Sequence, residues 1–281
     1  MKIDLHSHTT FSDGQLTPTE LVQRAQTMQV DVLAITDHDT VAGLEEAHLA
    51  QQQHNRVMHI IDGVEISTLW HSFDIHIVGL GVDKNDDRFL AFLTEQAKRR
   101  EARAVKIAEK LSMCGFEGVL EKAQRLAAGG QLTRAHFARV LVSDYGVHSM
   151  DAVFKKFLGK GKRAAVKAQW PSIEAAVAAI QNANGQAVLA HPAHYDMTTK
   201  WLRRLVAEFK QWGGDAIEAA PAAIGKQKET LIYELARANA LKLSTGSDFH
   251  FPSRWRELGR SPMPADSFPA VWDEWDLSVT R

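Results

Sequence analysis

A chain of 281 residues, 45% hydrophobic and 24% charged, has the composition of a soluble globular protein and room for one large core or a barrel with an insertion. A net charge of −1 and a pI near 6.9 exclude the basic excess of a duplex-binding protein, leaving room for a local basic patch around a small phosphorylated ligand. No run approaches the ~20 apolar residues of a membrane span, no signal-peptide pattern opens the chain, and the single cysteine, Cys114, cannot form an internal disulfide, so the expected location is the cytoplasm.

Residues 2–5 read as a strand that ends at His6. Thr17-Pro18-Thr19-Glu20 is a capping-box pattern with proline at the first helical position, which predicts a helix to about Gln29. The apolar run 32–35 is of strand length and leads into Thr36-Asp37-His38-Asp39, and a helix is expected over 41–53. Segments 57–66 and 75–80 read as strands carrying Glu65 and His76, and this alternation predicts an α/β architecture with parallel strands. From 86 to about 157 the periodicity is helical only, with helices expected from 89 to about 111 and over 118–127, 133–143 and 150–158. Cys114 in this block is read as a buried structural thiol, and Lys98-Arg99-Arg100-Glu101 as a solvated helix face.

The strand–helix rhythm returns at Ser172, the expected cap of a helix over 173–182. A strand over 187–190 ends at His191-Pro192. Helix 198–211, strand 216–219, helix 225–238 and strand 241–244 follow, and the last strand runs into Thr245-Gly246-Ser247-Asp248-Phe249-His250. Trp272 and Trp275 read as packing residues.

Nine potential metal ligands recur along this pattern: His6, His8, Asp13, His38, Glu65, His76, His191, Asp248 and His250. Imidazole and carboxylate donors without thiolate point to catalytic divalent cations, and nine donors suit two or three ions. Strand residues two apart point the same way, so His6-x-His8 and Asp248-x-His250 can each present a pair to one site. Parallel strands converge at their C-terminal ends, where such groups can meet despite their separation in sequence. His48, His54 and His59 read as structural, and His71 is left open.

The ordered segments Asp4-Leu5-His6-Ser7-His8, Ser12-Asp13-Gly14, Thr36-Asp37-His38-Asp39-Thr40, Gly63-Val64-Glu65-Ile66-Ser67, His76-Ile77-Val78-Gly79, Ala190-His191-Pro192 and Gly246-Ser247-Asp248-Phe249-His250 resemble the polymerase and histidinol phosphatase (PHP) metallophosphoesterases. Within the helical block, the segment from Leu132 to Arg139 is similar to the branch of 3′,5′-nucleotide bisphosphate phosphatases and 5′-to-3′ exoribonucleases. The resemblance implies a distorted (β/α)7 barrel over 1–85 and 165–281, with a helical insertion (cap) subdomain over 86–164. It implies one ion on His6, His8, Glu65 and Asp248, a second on Asp13, His38 and His250, and a third on Glu65, His76 and His191. Manganese is the expected metal, with iron or zinc as alternatives. A metal-bound hydroxide would attack phosphorus in line with the departing 3′-oxygen, Arg134 would hold a second phosphate, and His136, His194, Lys160 and Lys162 are further candidates for substrate contact. The position of His194 is often arginine in that branch. Asp37 and Asp39 are candidate orienting groups for His38.

The expected substrate is a small phosphorylated nucleotide such as 3′-phosphoadenosine 5′-phosphate, and also short single-stranded RNA ends, with no membrane and no stable duplex DNA as partner. The rival readings are a histidinol phosphate phosphatase, an amidohydrolase and a non-catalytic metal-binding PHP module.

Overall fold

Short apolar runs form the strands β1 (Ile3–Asp4), β2 (Val32–Ile35), β3 (His59–Trp70), β4 (Phe73–Leu80), β5 (Gln186–Leu189), β6 (Ala216–Glu218) and β7 (Lys242–Ser244). The computed structural model describes residues 1–54, 56–219, 225–253, 256–261 and 268–277. The strands make one seven-stranded sheet in sequence order. At its exit end the sheet curls round until Leu5 N–H donates to Thr245 O (3.0 Å) and Ser7 bridges Phe249.

Alternation along the strands sorts the core. Ile3, Val32, Ala34, Val78, Leu80 and Val188 point to one face and fill the barrel together with Trp272. Trp275 packs against that cluster, so both tryptophans are packing residues, as expected. Val64, Ile66, Ile75, Ile77 and Leu189 point to the other face, under α7 (Ile173–Asn182), α8 (Thr199–Gln211) and α9 (Lys226–Ala238). Leu33 and Ile35 do the same under α1 (Pro18–Thr27) and α2 (Leu44–Gln52). The Thr17–Glu20 capping box opens α1 as its sequence predicts.

The expectation of parallel strands fails at β4, which is antiparallel to both β3 and β5. Between Trp70 and Phe73 lie only His71 and Ser72, and two residues can join antiparallel strands but never a parallel pair. His71, at φ 52°, takes the left-handed conformation this turn needs, and its ring packs edge-on against Trp70 and Trp201.

Between β4 and α7 lie α3 (Asp87–Ser112), α4 (Val119–Ala127), α5 (Arg134–Ser143) and α6 (Met150–Val153), with a π-turn over Phe154–Leu158. Leu111, Val119, Phe137, Leu141, Val153 and Leu158 give this block its own core. Helix α3, with 26 residues and about 39 Å long, belongs to both parts. Its first turns bury Phe89 and Leu93 against the barrel, while its later turns bury Ile107 and Leu111 in the helical block. Cys114 lies just past the end of α3 and is only half-buried, not the core thiol expected. Among the described residues no helix is long and apolar enough to cross a membrane.

Candidate metal centre

At the exit of β1, Ser7 Oγ donates to Ala34 O (2.6 Å) and Ser7 N–H to Thr36 Oγ1 (3.1 Å). Pinning Ser7 to the neighbouring strand leaves His6 and His8 to face away from it, and both are buried. Next, His38 leaves β2 and bridges to Glu65 on β3, held by Asp39 N–H to Glu65 O (3.0 Å). Gly246, just after β7, passes so close to His6 that a side chain there would collide with the His6 Cβ. That approach brings the Asp248–His250 segment over the first strand.

Glu65 is the hub. Its Oε1 lies 2.9 Å from His76 Nδ1, 3.0 Å from His191 Nε2 and 3.4 Å from His6 Nε2. Its Oε2 lies 2.9 Å from His38 Nδ1 and 3.3 Å from His8 Nε2. On one side Asp248 Oδ1 stands 3.4 Å from His8 Nε2 and 3.7 Å from His6 Nε2. On the other Asp13 Oδ1 stands 3.2 Å from His250 Nε2 and 3.7 Å from His38 Nε2. All nine candidate ligands therefore meet in one place. Eight of them fall in three overlapping groups with donor atoms mutually within 4.8 Å: His8, Asp13, His38 and His250; His6, His8 and Asp248; and His38, Glu65 and His76; His191 joins through Glu65.

The donor set fits divalent cations on a specific observation. His6 Nε2, His8 Nε2, Asp13 Oδ1 and His38 Nδ1 are buried and make no hydrogen bond. A buried polar atom without a partner costs about 1–3 kcal/mol, and four aimed into one cluster are accounted for by cations. Without metal, the charges oppose one another. Burial and the neighbouring His250 push His8 down to about 3. Against its own burial, His250 is pushed up to about 9 by Asp13 and Asp248. Burial would raise Glu65, yet the imidazoles of His76, His38 and His6 hold it well below the usual carboxylate range.

Surrounding groups fix these side chains. Glu218, at the end of β6, accepts from His6 Nδ1 (2.6 Å) with one oxygen and from His191 N–H (2.5 Å) with the other. This holds the Nε2 of His6 toward the cluster and secures His191 in its left-handed backbone conformation (φ 32°). Asp37 accepts from Thr9 N–H (2.7 Å) and Ser12 Oγ (2.6 Å), shaping the loop that carries Asp13. Arg139 on α5 donates to the Asp13 carbonyl. Arg256 Nη1 donates to Asp248 Oδ2 (2.7 Å) and to its carbonyl (3.0 Å). Glu218, a carboxylate that supports the candidate ligands His6 and His191, carries a signal of the kind by which several of them were found, a polar group at a strand end, and sequence reasoning passed over it.

Asp39 and the helical block meet at Arg100, which corrects the reading of 98–101 as a solvated face. Arg100 is buried; its Nε donates to Asp39 Oδ2 (2.6 Å) and its Nη2 to Ser67 Oγ (2.7 Å). A helix turns 3.6 residues per turn, so one member of a four-residue charge run points inward, and here the inward side meets a buried carboxylate. Arg100 and Arg103 lie over the ring of Trp170, at 5.2 and 5.4 Å. Together with Arg134, whose guanidinium lies 5.9 Å from the Phe154 ring, they line a cleft whose floor includes Asp13, His38 and His76. Burial and the nearby Arg134 push Arg103 down to about 10, which leaves it cationic at neutral pH.

The remaining predicted substrate contacts fare differently. His136 is buried and turns back to accept the Thr133 N–H at Nδ1 (3.1 Å), completing a capping box for α5. Burial pushes it down to about 4, so it is a neutral structural group rather than a phosphate contact. Lys160 is exposed; its Nζ donates to Ser72 O (3.0 Å) and lies over Phe73, at the tip of the β3–β4 hairpin. Lys162 is exposed on the same loop, and neither lysine lines the cleft. His194 is exposed and stacks on His191, ring centroids 6.1 Å apart. Burial and the neighbouring His191 lower its pKa. His48 pairs with Asp62 (2.5 Å), away from the cluster.

A family model described as the PHP domain matches residues 4–183. The chain is 48% identical over 273 residues to the 5′-3′ exoribonuclease Rnm of Escherichia coli, covering 97% of this chain and 93% of that protein. It is 37% identical over 281 residues to the 3′,5′-nucleoside bisphosphate phosphatase of Chromobacterium violaceum, covering 99% of this chain and 98% of that one. A solved structure from C. violaceum, described as an amidohydrolase with bound sulfate and no metal, superposes with a TM-score of 0.90 at 37% identity, covering 97% of this chain and 95% of that one.

Proposed function

Since the chain belongs to the PHP domain family and is a metal-dependent phosphoesterase, we propose that it removes the 3′-phosphate from 3′,5′-bisphosphonucleotides and the terminal nucleotide from short 5′-phosphorylated RNA. Both reactions break the P–O3′ bond, add water to phosphorus and return a proton to the 3′-oxygen. Each releases a nucleoside 5′-monophosphate.

One observation carries the reading: Asp13, His38 and His76 of the ligand cluster and the arginines Arg100, Arg103 and Arg134 line a single cleft. A nucleotide with two phosphates is complementary both to cations held by those ligands and to the arginines. We assign one ion to His6, His8, Glu65 and Asp248, a second to Asp13, His38 and His250, and a third to Glu65, His76 and His191, with manganese, the metal the family resemblance implies, as the expected ion and iron or zinc as alternatives. Bound cations supply Lewis acidity, lower the pKa of water and stabilise charge on the attacking and leaving oxygens. Arg134 holds the second phosphate by its fork of donors, and its neighbour Arg103 adds charge. Arg100 is spent on Asp39 and Ser67 and shapes the wall between them. His194 has the role of a supporting contact to phosphate or to the leaving oxygen. The lone thiol suits the cytoplasm. Histidinol phosphate, whose own amine is cationic, is poorly matched to a cleft lined by Arg100, Arg103 and Arg134.

The test is phosphate release with manganese from 3′-phosphoadenosine 5′-phosphate and from histidinol phosphate, and nucleotide release from a 5′-phosphorylated oligoribonucleotide, for wild type and Asp248→Asn. Turnover of histidinol phosphate alone would overturn the substrate assignment, and activity that survives metal removal would overturn the chemistry. Arg134→Ala should raise KM for the bisphosphonucleotide ~10–100-fold, the worth of a charge-assisted contact, while hardly changing KM for adenosine 3′-phosphate. An equal change for both substrates would remove Arg134 from that role.

A further inference from the structure

Residues 152–173 contain six cations, Lys155, Lys156, Lys160, Lys162, Arg163 and Lys167, and no acid, in a chain whose overall charge is −1. All six are exposed and none forms an ion pair among the described residues. The C-terminal part of this segment runs alongside α3, anchored by Arg103 Nε to Val166 O (3.3 Å) and Lys110 Nζ to Ala165 O (2.6 Å).

Between them lies a second groove, lined by Lys98, Arg99, Arg103 and Lys106 from α3 and Lys167 from the facing segment. Arg99, Arg103 and Lys106 stand four and three apart, so they share one helix face, where like charges repel and weaken the helix. Two acids answer the groove's cations: Glu95 pairs with Lys98 (2.7 Å) and Asp74 with Arg103 (3.6 Å). Arg99, Lys106 and Lys167 have no carboxylate partner among the described residues, so folding does not account for the concentration of charge. Arg103 lines both this groove and the metal-centre cleft and so stands between the two.

We propose that this groove binds the backbone of single-stranded RNA beyond the first nucleotide, and so separates RNA from the mononucleotide substrate. The inference rests on the exoribonuclease part of the proposed function. A bisphosphonucleotide has no phosphate beyond the two assigned to the ligand cluster and Arg134. An RNA of several nucleotides presents further phosphates, for which Lys106 and Lys167 are the exposed, unpaired cations.

The experiment compares wild type, Lys106→Ala/Lys167→Ala and Lys106→Arg/Lys167→Arg on three substrates. These are 3′-phosphoadenosine 5′-phosphate, a 5′-phosphorylated dinucleotide and an unstructured 5′-phosphorylated RNA of about ten nucleotides. The alanine pair should raise KM for the longer RNA ~10-fold or more and flatten its salt dependence by about 0.7 per cation removed on a log–log scale. The arginine pair should restore both, and bisphosphonucleotide turnover should be unchanged throughout, which also reports correct folding. An unchanged KM for the longer RNA, or an equal rise for all three substrates, would overturn the groove's role. A wild type that turns over the bisphosphonucleotide but no RNA of any length would overturn the exoribonuclease reading itself, and the groove assignment with it.

Discussion

Replacing Glu218 by glutamine removes one acceptor from a site that uses two. The carboxylate accepts from His6 Nδ1 at 2.6 Å and from the His191 N–H at 2.5 Å, and the residue is only 5% exposed. A glutamine side chain has one acceptor oxygen, so its amide group must confront one of the two donors. If the oxygen stays with His6, the His191 N–H is left facing an N–H in a buried place, at a cost of about 1–3 kcal/mol. If it turns to His191, His6 relieves the clash by moving its proton to Nε2, the nitrogen aimed at Glu65 and Asp248, and loses its capacity as a ligand. Both routes weaken metal binding, and loss of a ligand's supporting partner typically costs ~10–100-fold in affinity. That range equals about 1.4–2.7 kcal/mol, in line with the hydrogen-bond argument. Manganese titration of metal-free protein, followed by the electron paramagnetic resonance of the free ion, reads the affinity directly. A Glu218→Gln protein that binds manganese as tightly as wild type would refute the argument.

Two further predictions concern the helical block. Arg100→Ala strips the buried Asp39 carboxylate of its cation and should destabilise the fold by ~3–5 kcal/mol, measured by urea unfolding. Arg100→Lys should recover only part, because an ammonium cannot reproduce the fork that spans Asp39 and Ser67; full recovery would show that charge alone matters. His136 is held at about 4 in the folded protein, below the ~6.5 of an unfolded histidine, so the unfolded chain binds the extra proton between these values. Its stabilising contribution is complete above the upper value and is lost as pH falls toward the lower one, amounting to about 2 kcal/mol between neutrality and roughly pH 4.5. His136→Gln keeps a capping-box acceptor without a titrating group, so its urea stability should fall less over that interval. Parallel pH curves for the two proteins would count against this account.

The ligands were legible because strand geometry constrains them locally. In a strand, alternation decides which residues face together, so His6 and His8 could be paired from spacing alone, and the apolar runs before His6, His38, His191 and Asp248 marked strand exits. The β3–β4 hairpin was not legible, because its turn is His71-Ser72 and lacks the glycine or asparagine that usually betrays a two-residue hairpin. The sequence reading consequently ended β3 near Ile66, short of Trp70. Glu218 was legible in principle, since it ends an apolar run, but it ligates no candidate cation and acts through His6 and His191.

Substrate contacts fared worse for a physical reason. On helices the chain fixes only a repeating face, and which face is buried depends on what packs against it. Within Lys98-Arg99-Arg100-Glu101, adjacent residues diverge: Arg100 reaches the buried Asp39, whereas Lys98 and Arg99 look out on the basic groove. The same limit misplaced His136, three residues after Thr133, where an N-terminal side chain can turn back to its own cap instead of reaching out to a ligand. Arg134, two residues earlier on α5, carries only donors and cannot accept that backbone N–H, and it faces the cleft. Two basic side chains two residues apart are thus divided by helix-capping chemistry into one committed to its own helix end and one left facing the cleft.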